Sequence, residues 1–425
     1  MMRLARYAKE PLYRNSLFLM VNHAVVTGLG FFFWMVVARF YGEAEVGLGA
    51  AIISAISLLA LLSRLGLDVA LIRFLPTAPR PVNLINSCLA IGTAAAIVIA
   101  VVFVAGLHIW SPALGFVRHN AIFFAAFVSF TVCWTLFGML SAIFVAKRKA
   151  SLSLAKTIIF SVLKIPLPIV LVLFFHAFGV VASWGVAVGI AVAVSLLFLL
   201  PKAQPRYRPV PKVELAAVKE IRGYSAGNYF ANLLHAAPGL VLPLVIVNLL
   251  GPEQNAYFYV AWTIAGLLLA IPAAVSASLF VEGSHFDAPL ETNVRRSYRF
   301  IYLILAPSIV VIMLAGKWLL LAFGEAYSAN AITLLWLLAL SSIFHGITSA
   351  YYSVLRVQGR VAELVVIYLF IAVAVLGASY FMLPLTGIVG VGYAWLGAQA
   401  LVGIYVLLAM KGRPSGGASR GKASH

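Results

Sequence analysis

Apolar residues come in runs of about twenty over residues 15–410, parted by short polar and basic stretches. A run of that length crosses the hydrocarbon core of a bilayer as a helix. Twelve such runs are legible, at about 15–40, 44–66, 83–107, 120–145, 153–175, 179–200, 224–249, 256–280, 298–316, 330–354, 362–383 and 387–410. The run at 153–175 carries Lys164, and only a short turn at 384–387 parts the last two. The pattern predicts an all-α integral membrane protein. The run from about 16 to 40 is too long for a secretory signal, so it reads as an uncleaved first span.

The basic residues sort by loop. With the N-terminus placed in the cytoplasm, 26 of the 30 Lys and Arg fall in cytoplasmic segments, Lys156 among them. The bias predicts an even number of spans with both termini inside. The longest polar connection, 201–223, divides the chain into halves of six spans. The expected division is a lobe at 1–200, a basic cytoplasmic linker at 201–223, a second lobe at 224–410 and a disordered Gly/Ser-rich cytoplasmic tail at 411–425. Within the linker, 206–222 reads as an amphipathic helix on the inner leaflet.

The halves read as repeats. At a shift of about 209, the corner 39–43 falls on 248–252. At about 210, Thr131, Thr135, Gly138 and Ala142 fall on Ser341, His345, Thr348 and Tyr352. An even-span repeat keeps both halves in one orientation, which implies a pseudo-two-fold axis along the membrane normal with a path between the lobes.

Composition agrees. Of 425 residues, 63% are hydrophobic and 10% charged, with mean hydropathy +1.05; a soluble domain carries about 25% charged residues. The net charge of +18 lies in short loops, so it reflects topology and not nucleic-acid binding. Cys88 and Cys133 sit in apolar runs without disulfide or metal spacing. The sequence has no P-loop, nucleophilic triad, metal cluster or paired carboxylates, and no long outer loop for glycosyl transfer. No enzyme activity, catalytic residue, metal or cofactor is expected.

The stretch from Phe31 to Pro76 is a hairpin of two apolar runs with polar residues at both mouths. Ala38-Arg39, Tyr41-Gly42-Glu43, Glu45-Val46-Gly47, Leu65-Gly66-Leu67 and Ile72-Arg73-Phe74-Leu75 resemble the first hairpin of the polysaccharide and lipid-linked oligosaccharide flippases. These belong to the multidrug/oligosaccharidyl-lipid/polysaccharide exporter superfamily. As a pattern of spans the resemblance runs over about 10–410. It implies a bundle of twelve spans in two six-helix lobes around a central cavity. It also implies alternating-access movement of a polyprenyl-diphosphate-linked oligosaccharide across the cytoplasmic membrane; the internal repeat makes a monomer sufficient.

Eight residues are candidates for substrate contact. Lys164 lies inside a span, followed by Pro166 and Pro168, which would bend the helix and free carbonyls. An intramembrane cation usually faces a cavity or a partner, here a diphosphate or an acidic sugar; the alternative is that it snorkels to the cytoplasmic surface. Arg39, at the outer end of the first span, has two readings, cavity contact or interfacial anchor. Arg73 can attract an anionic head group to the inner mouth, while Arg64 and Asp68, spaced i,i+4, read as a structural pair.

In the seventh span Ser225, Asn228, Asn232 and His235 fall on one helical face. The stripe reads as a cavity wall suited to sugar hydroxyls, with interhelical hydrogen bonding as the alternative. Ser341, His345, Thr348 and Tyr352 make a second stripe in the tenth span. The runner-up function is a cation-coupled drug exporter of the same superfamily. Lys164 and the near absence of membrane carboxylates argue against it, as the missing outer loop argues against a glycan polymerase or ligase.

Overall fold

The computed structural model describes residues 11–205, 207–208, 226–283 and 290–411. Among these, twelve helices are long and apolar enough to cross a membrane. They are α1 (Leu17–Phe40), α2 (Glu43–Ser63), α3 (Pro81–Ala105), α4 (Ala121–Ala146), α5 (Ala150–Leu173), α6 (Phe178–Ala203), α7 (Gly227–Leu249), α8 (Pro252–Ser276), α9 (Arg295–Leu321), α10 (Ile332–Val357), α11 (Val361–Thr386) and α12 (Val389–Met410). They match the expected runs in number and order. The amphipathic helix expected at 206–222 and the tail at 412–425 lie outside the described residues.

The twelve spans form two lobes of six. In the first, α3 packs on α4, α4 on α6, α2 on α4 and α1 on α5; in the second, α9 packs on α10, α10 on α12, α8 on α10 and α7 on α11. Each pairing has its counterpart at the repeat shift. The lobes meet through α1 and α2 on one side and α7 and α8 on the other. Twelve crossings bring the start of α1 and the end of α12 to one end of the bundle, here the near end. The opposite end, with the α1–α2 and α7–α8 corners, is the far end.

Local chemistry sets the corners. At the far end α1 stops at Phe40 and α2 restarts at Glu43; the Glu45 carboxylate accepts the Gly42 N–H at 3.1 Å, half of a capping box. The equivalent α7–α8 corner turns on Gly251, at φ +92°, with Pro252 opening α8. At the near end α2 stops before Leu65 and Gly66, both with positive φ, and a short helix, Leu67–Phe74, follows.

Burial follows the lobe contact. In α2, 72% of the apolar window is buried, more than in any other span. Large apolar side chains such as Leu173, Leu314, Phe381 and Leu385 stand exposed on the outer faces, where a bilayer would cover them.

Lobe-to-lobe contacts gather at the far end. Asn255 of α8 donates from Nδ2 to the Gly47 carbonyl of α2 at 2.7 Å, and a Cβ on Gly47 would strike the Pro252 carbonyl. The Asn248 side chain bonds Ser111 Oγ at 2.9 Å and the Ala113 N–H at 3.1 Å. Phe31 packs on Phe323 and Trp34 on Tyr259. At the near end, Tyr229 Oη of α7 donates to the Leu62 carbonyl of α2 at 3.1 Å.

Candidate functional site

A cavity of about 420 Å³ lies between the second lobe and α1, within the range of small-ligand pockets. His23 and Thr27 of α1 form one wall. The others come from α7 (His235, Gly239), α8 (Trp262, Gly266), α10 (His345, Tyr352), α11 (Tyr368) and α12 (Trp395, Gln399). Among the described residues no Asp, Glu, Lys or Arg lines it.

Helical spacing explains how these side chains converge. His345 and Tyr352 are seven apart on α10, and Tyr368 and Ile371 are three apart on α11, so each pair shares a face. Small residues on α8, Gly266, Ala270 and Ala273, keep that wall shallow. The rings interlock: His235 lies 4.8 Å from Tyr368, Tyr352 lies 4.9 Å from Tyr368, and Trp262 meets Trp395 edge-on at 4.6 Å. The walls are thus aromatic with scattered neutral polar groups, the make-up of a site for an uncharged polar ligand with apolar faces.

The structure brings three of the eight expected residues, His235, His345 and Tyr352, into this one cavity. Asn228 and Asn232 lie on α7 outside its lining. In the tenth-span stripe, Ser341 and Thr348 turn back on their own helix, bonding the carbonyls of Leu338 and His345. Arg73 is exposed in the last turn of Leu67–Phe74. The expected Arg64–Asp68 pair is present at 3.6 Å.

Arg39 reaches across the lobes. Its Nε and Nη2 donate to the carbonyls of Ala322 and Leu321, at 2.7 and 2.9 Å. These carbonyls end α9 and lack helical partners, which a guanidinium fork suits.

Lys164 sits at the break in α5. The helix stops at Leu163 and resumes at Leu167, as Pro166 and Pro168 require. Lys164 is only 5% exposed, about 21 Å along the axis from Ala150 at 1.5 Å per residue. Its Nζ lies 4.7 Å from the Phe160 ring centre and 5.3 Å from that of Phe33 on α1. The side chain is held by aromatic faces and does not snorkel to the near surface. Phe33 is six residues beyond Thr27, so one helix, α1, both walls the cavity and caps this lysine.

Lys156 corrects the loop assignment. Its residue lies inside α5 and is fully buried. Nζ donates to the Phe137 carbonyl and to Ser141 Oγ and stands over the Phe137 ring. The Arg64 side chain lies nearby, across the bare face of Gly138. A charge one turn and a half into a span scores as loop in an apolar scan, and its partners are 15 and 19 residues away. The sequence reading also passed over His23, Trp262, Trp395 and Gln399, which stand singly among apolar neighbours; the i,i+4 spacing of Trp395 and Gln399 was the available signal.

With this geometry in place, the sequence match decides the family. Residues 36–331 match the family described as polysaccharide biosynthesis protein. The chain belongs to that family. A Shigella flexneri relative named "Putative O-antigen transporter" is 25% identical over 154 residues, which is 36% of this chain and 37% of the relative. The chain thus spans little more than a third of that curated relative's length. Two solved structures share the family member's fold. Lipid II flippase MurJ in an inward closed conformation superposes with TM-score 0.78 at 12% identity, over 93% of this chain and 87% of that one. An inward-facing multidrug resistance MATE transporter of the MOP superfamily gives 0.68 at 16%, over 91% and 94%. The protein is a multi-pass membrane protein with the two-lobe transporter fold.

Proposed function

We propose that the protein is a flippase that moves a polyprenyl-diphosphate-linked oligosaccharide from the inner to the outer leaflet of the cytoplasmic membrane, with both termini inside. The observation that carries this reading is the cavity between α1 and the second lobe. Its rings and neutral polar groups suit sugar faces and hydroxyls, and among the described residues no carboxylate lines it to pair with a cationic drug. The family match and the names of the relatives point the same way.

In this reading sugars occupy the cavity, and the diphosphate meets basic side chains of the first lobe. Arg73 meets it at the near mouth. Lys164 meets it when α1 shifts and withdraws the Phe33 ring. The polyprenyl chain stays in lipid between the lobes. Rocking of one lobe against the other then opens the far end in exchange for the near end. The internal repeat makes a monomer sufficient.

The test is leaflet sidedness of the lipid-linked oligosaccharide in cells with the gene deleted, restored, or restored as Lys164→Ala. Glycolipid should accumulate on the inner leaflet in the deletion and clear with the wild type. The Lys164→Ala arm should clear at least tenfold more slowly. Unchanged sidedness on deletion would sink the proposal.

A further inference from the structure

Trp395 and Gln399 stand one turn apart on α12 and both line the cavity. They are 7% and 3% exposed. The indole Nε1 of Trp395 has no acceptor, and Oε1 of Gln399 has no donor. Unpaired buried polar atoms are costly, about 1–3 kcal/mol each, and most buried polar groups are paired. Two of them, on one face of one helix, in the wall of one cavity, mark a place for a ligand.

We propose that this wall recognises a secondary amide, the acetamido group of an N-acetylated sugar; the proposal rests on the reading of the cavity as a sugar site. An indole N–H only donates and an amide oxygen only accepts. Their complement is therefore an acceptor and a donor of fixed polarity in one small group. A secondary amide carries both, C=O and N–H, on adjacent atoms. Its methyl group finds aliphatic wall at Leu234, Leu269, Ala270 and Ile371.

The remaining lining favours a neutral group over the charged alternatives. A free amino sugar would bring an ammonium, and among the described residues no carboxylate lines the cavity. A uronic acid would bring a carboxylate, and among the described residues no Lys or Arg lines it. A plain hexose fits the rings but leaves the Trp395 and Gln399 pair to hydroxyls, which serve either role and so confer no preference. Trp262, set edge-on to Trp395, supplies the face against which the pyranose ring packs.

The experiment is saturation-transfer NMR on the purified full chain in lipid nanodiscs, with N-acetylglucosamine, glucose and glucosamine as separate probes. The acetamido methyl of N-acetylglucosamine should show the strongest transfer, with glucose and glucosamine at least fivefold weaker. Trp395→Phe keeps an aromatic ring and loses the donor; Gln399→Met keeps the length and loses the amide, acceptor included. Each should weaken N-acetylglucosamine transfer about fivefold and glucose transfer by less than twofold. Equal transfer from glucose and N-acetylglucosamine in the wild type would overturn the proposal without recourse to variants. So would variants that bind N-acetylglucosamine as the wild type does. The assay needs no transport, so binding without any change in leaflet sidedness would retire the flippase reading and leave the amide site standing.

Discussion

Single side chains hold the far end shut. Arg39 joins α1 to the end of α9, and Asn255 joins α8 to the Gly47 carbonyl of α2. Asn255 is fully buried, and Asn255→Ala would remove this inter-lobe hydrogen bond and leave a small void, at a cost of about 1 kcal/mol. A small fall in the thermal unfolding midpoint is expected; an unchanged midpoint would show the contact to be idle. Arg39 is exposed, and its loss costs a similar amount, about 1 kcal/mol. Arg39→Ala should raise the population open at the far end about fivefold, read as a longer spin-label distance between the α1 and α9 ends. An unaltered distance distribution would remove Arg39 from the closure. Lys156 is a different case, a buried amine with satisfied partners but no carboxylate. Lys156→Met exchanges it for an apolar chain of similar size, and such exchanges are often neutral or stabilising. The unfolding midpoint should hold or rise.

Helices show which parts of the protein were open to reading from the chain. All twelve spans were legible because crossing lipid imposes an apolar length that no tertiary contact can waive. The α5 break was legible because Pro166 and Pro168 remove two helix donors whatever surrounds them. The shared faces of His235, His345 and Tyr352 on their helices were legible because helical spacing puts them on two stripes. The same rule overreached at Ser341 and Thr348, whose hydroxyls are satisfied by their own helix. Trp395 and Gln399 stayed hidden because their meaning lies in α7, α8 and α10 opposite, which the α12 sequence does not contain. Arg39 stayed ambiguous for the same reason: its acceptors are some 280 residues away. The α5 break gives a prediction at this scale. Replacing Pro166 and Pro168 together by Ala restores helix donors and straightens α5 past Lys164. Transport should fall tenfold or more while the unfolding midpoint holds or rises. Full transport by the double variant would show that the break has no part in the path.

At the scale of the whole molecule, the two lobes share a plan and differ in chemistry. The first lobe buries Lys156 and Lys164 among rings, and the second lines its cavity with neutral groups. The lobes can therefore take different parts of one amphiphile. The proposed sidedness is checked by single cysteines introduced at the α1–α2 corner (Gly42→Cys) and after α12 (Gly412→Cys). A membrane-impermeant thiol reagent added to intact cells should label the first and spare the second. Labelling of the second alone would invert the topology and with it the direction of transport.

The contact of Gly47 with Pro252 and Asn255 joins the two repeats at their matching far corners. Two equivalent points that touch must lie close to the axis relating them. While this contact holds, the lobes can rock only about it, so motion grows with distance from it, as along a lever; opening of the far end requires the contact to part. From Gly47, α2 runs on to Ser63, about 24 Å at 1.5 Å per residue. A turn of about 10° at the corner swings its other end by roughly 4 Å, enough to separate Tyr229 from Leu62. A methyl group on Gly47 would act at the fulcrum, so its effect would be felt mostly about 24 Å away.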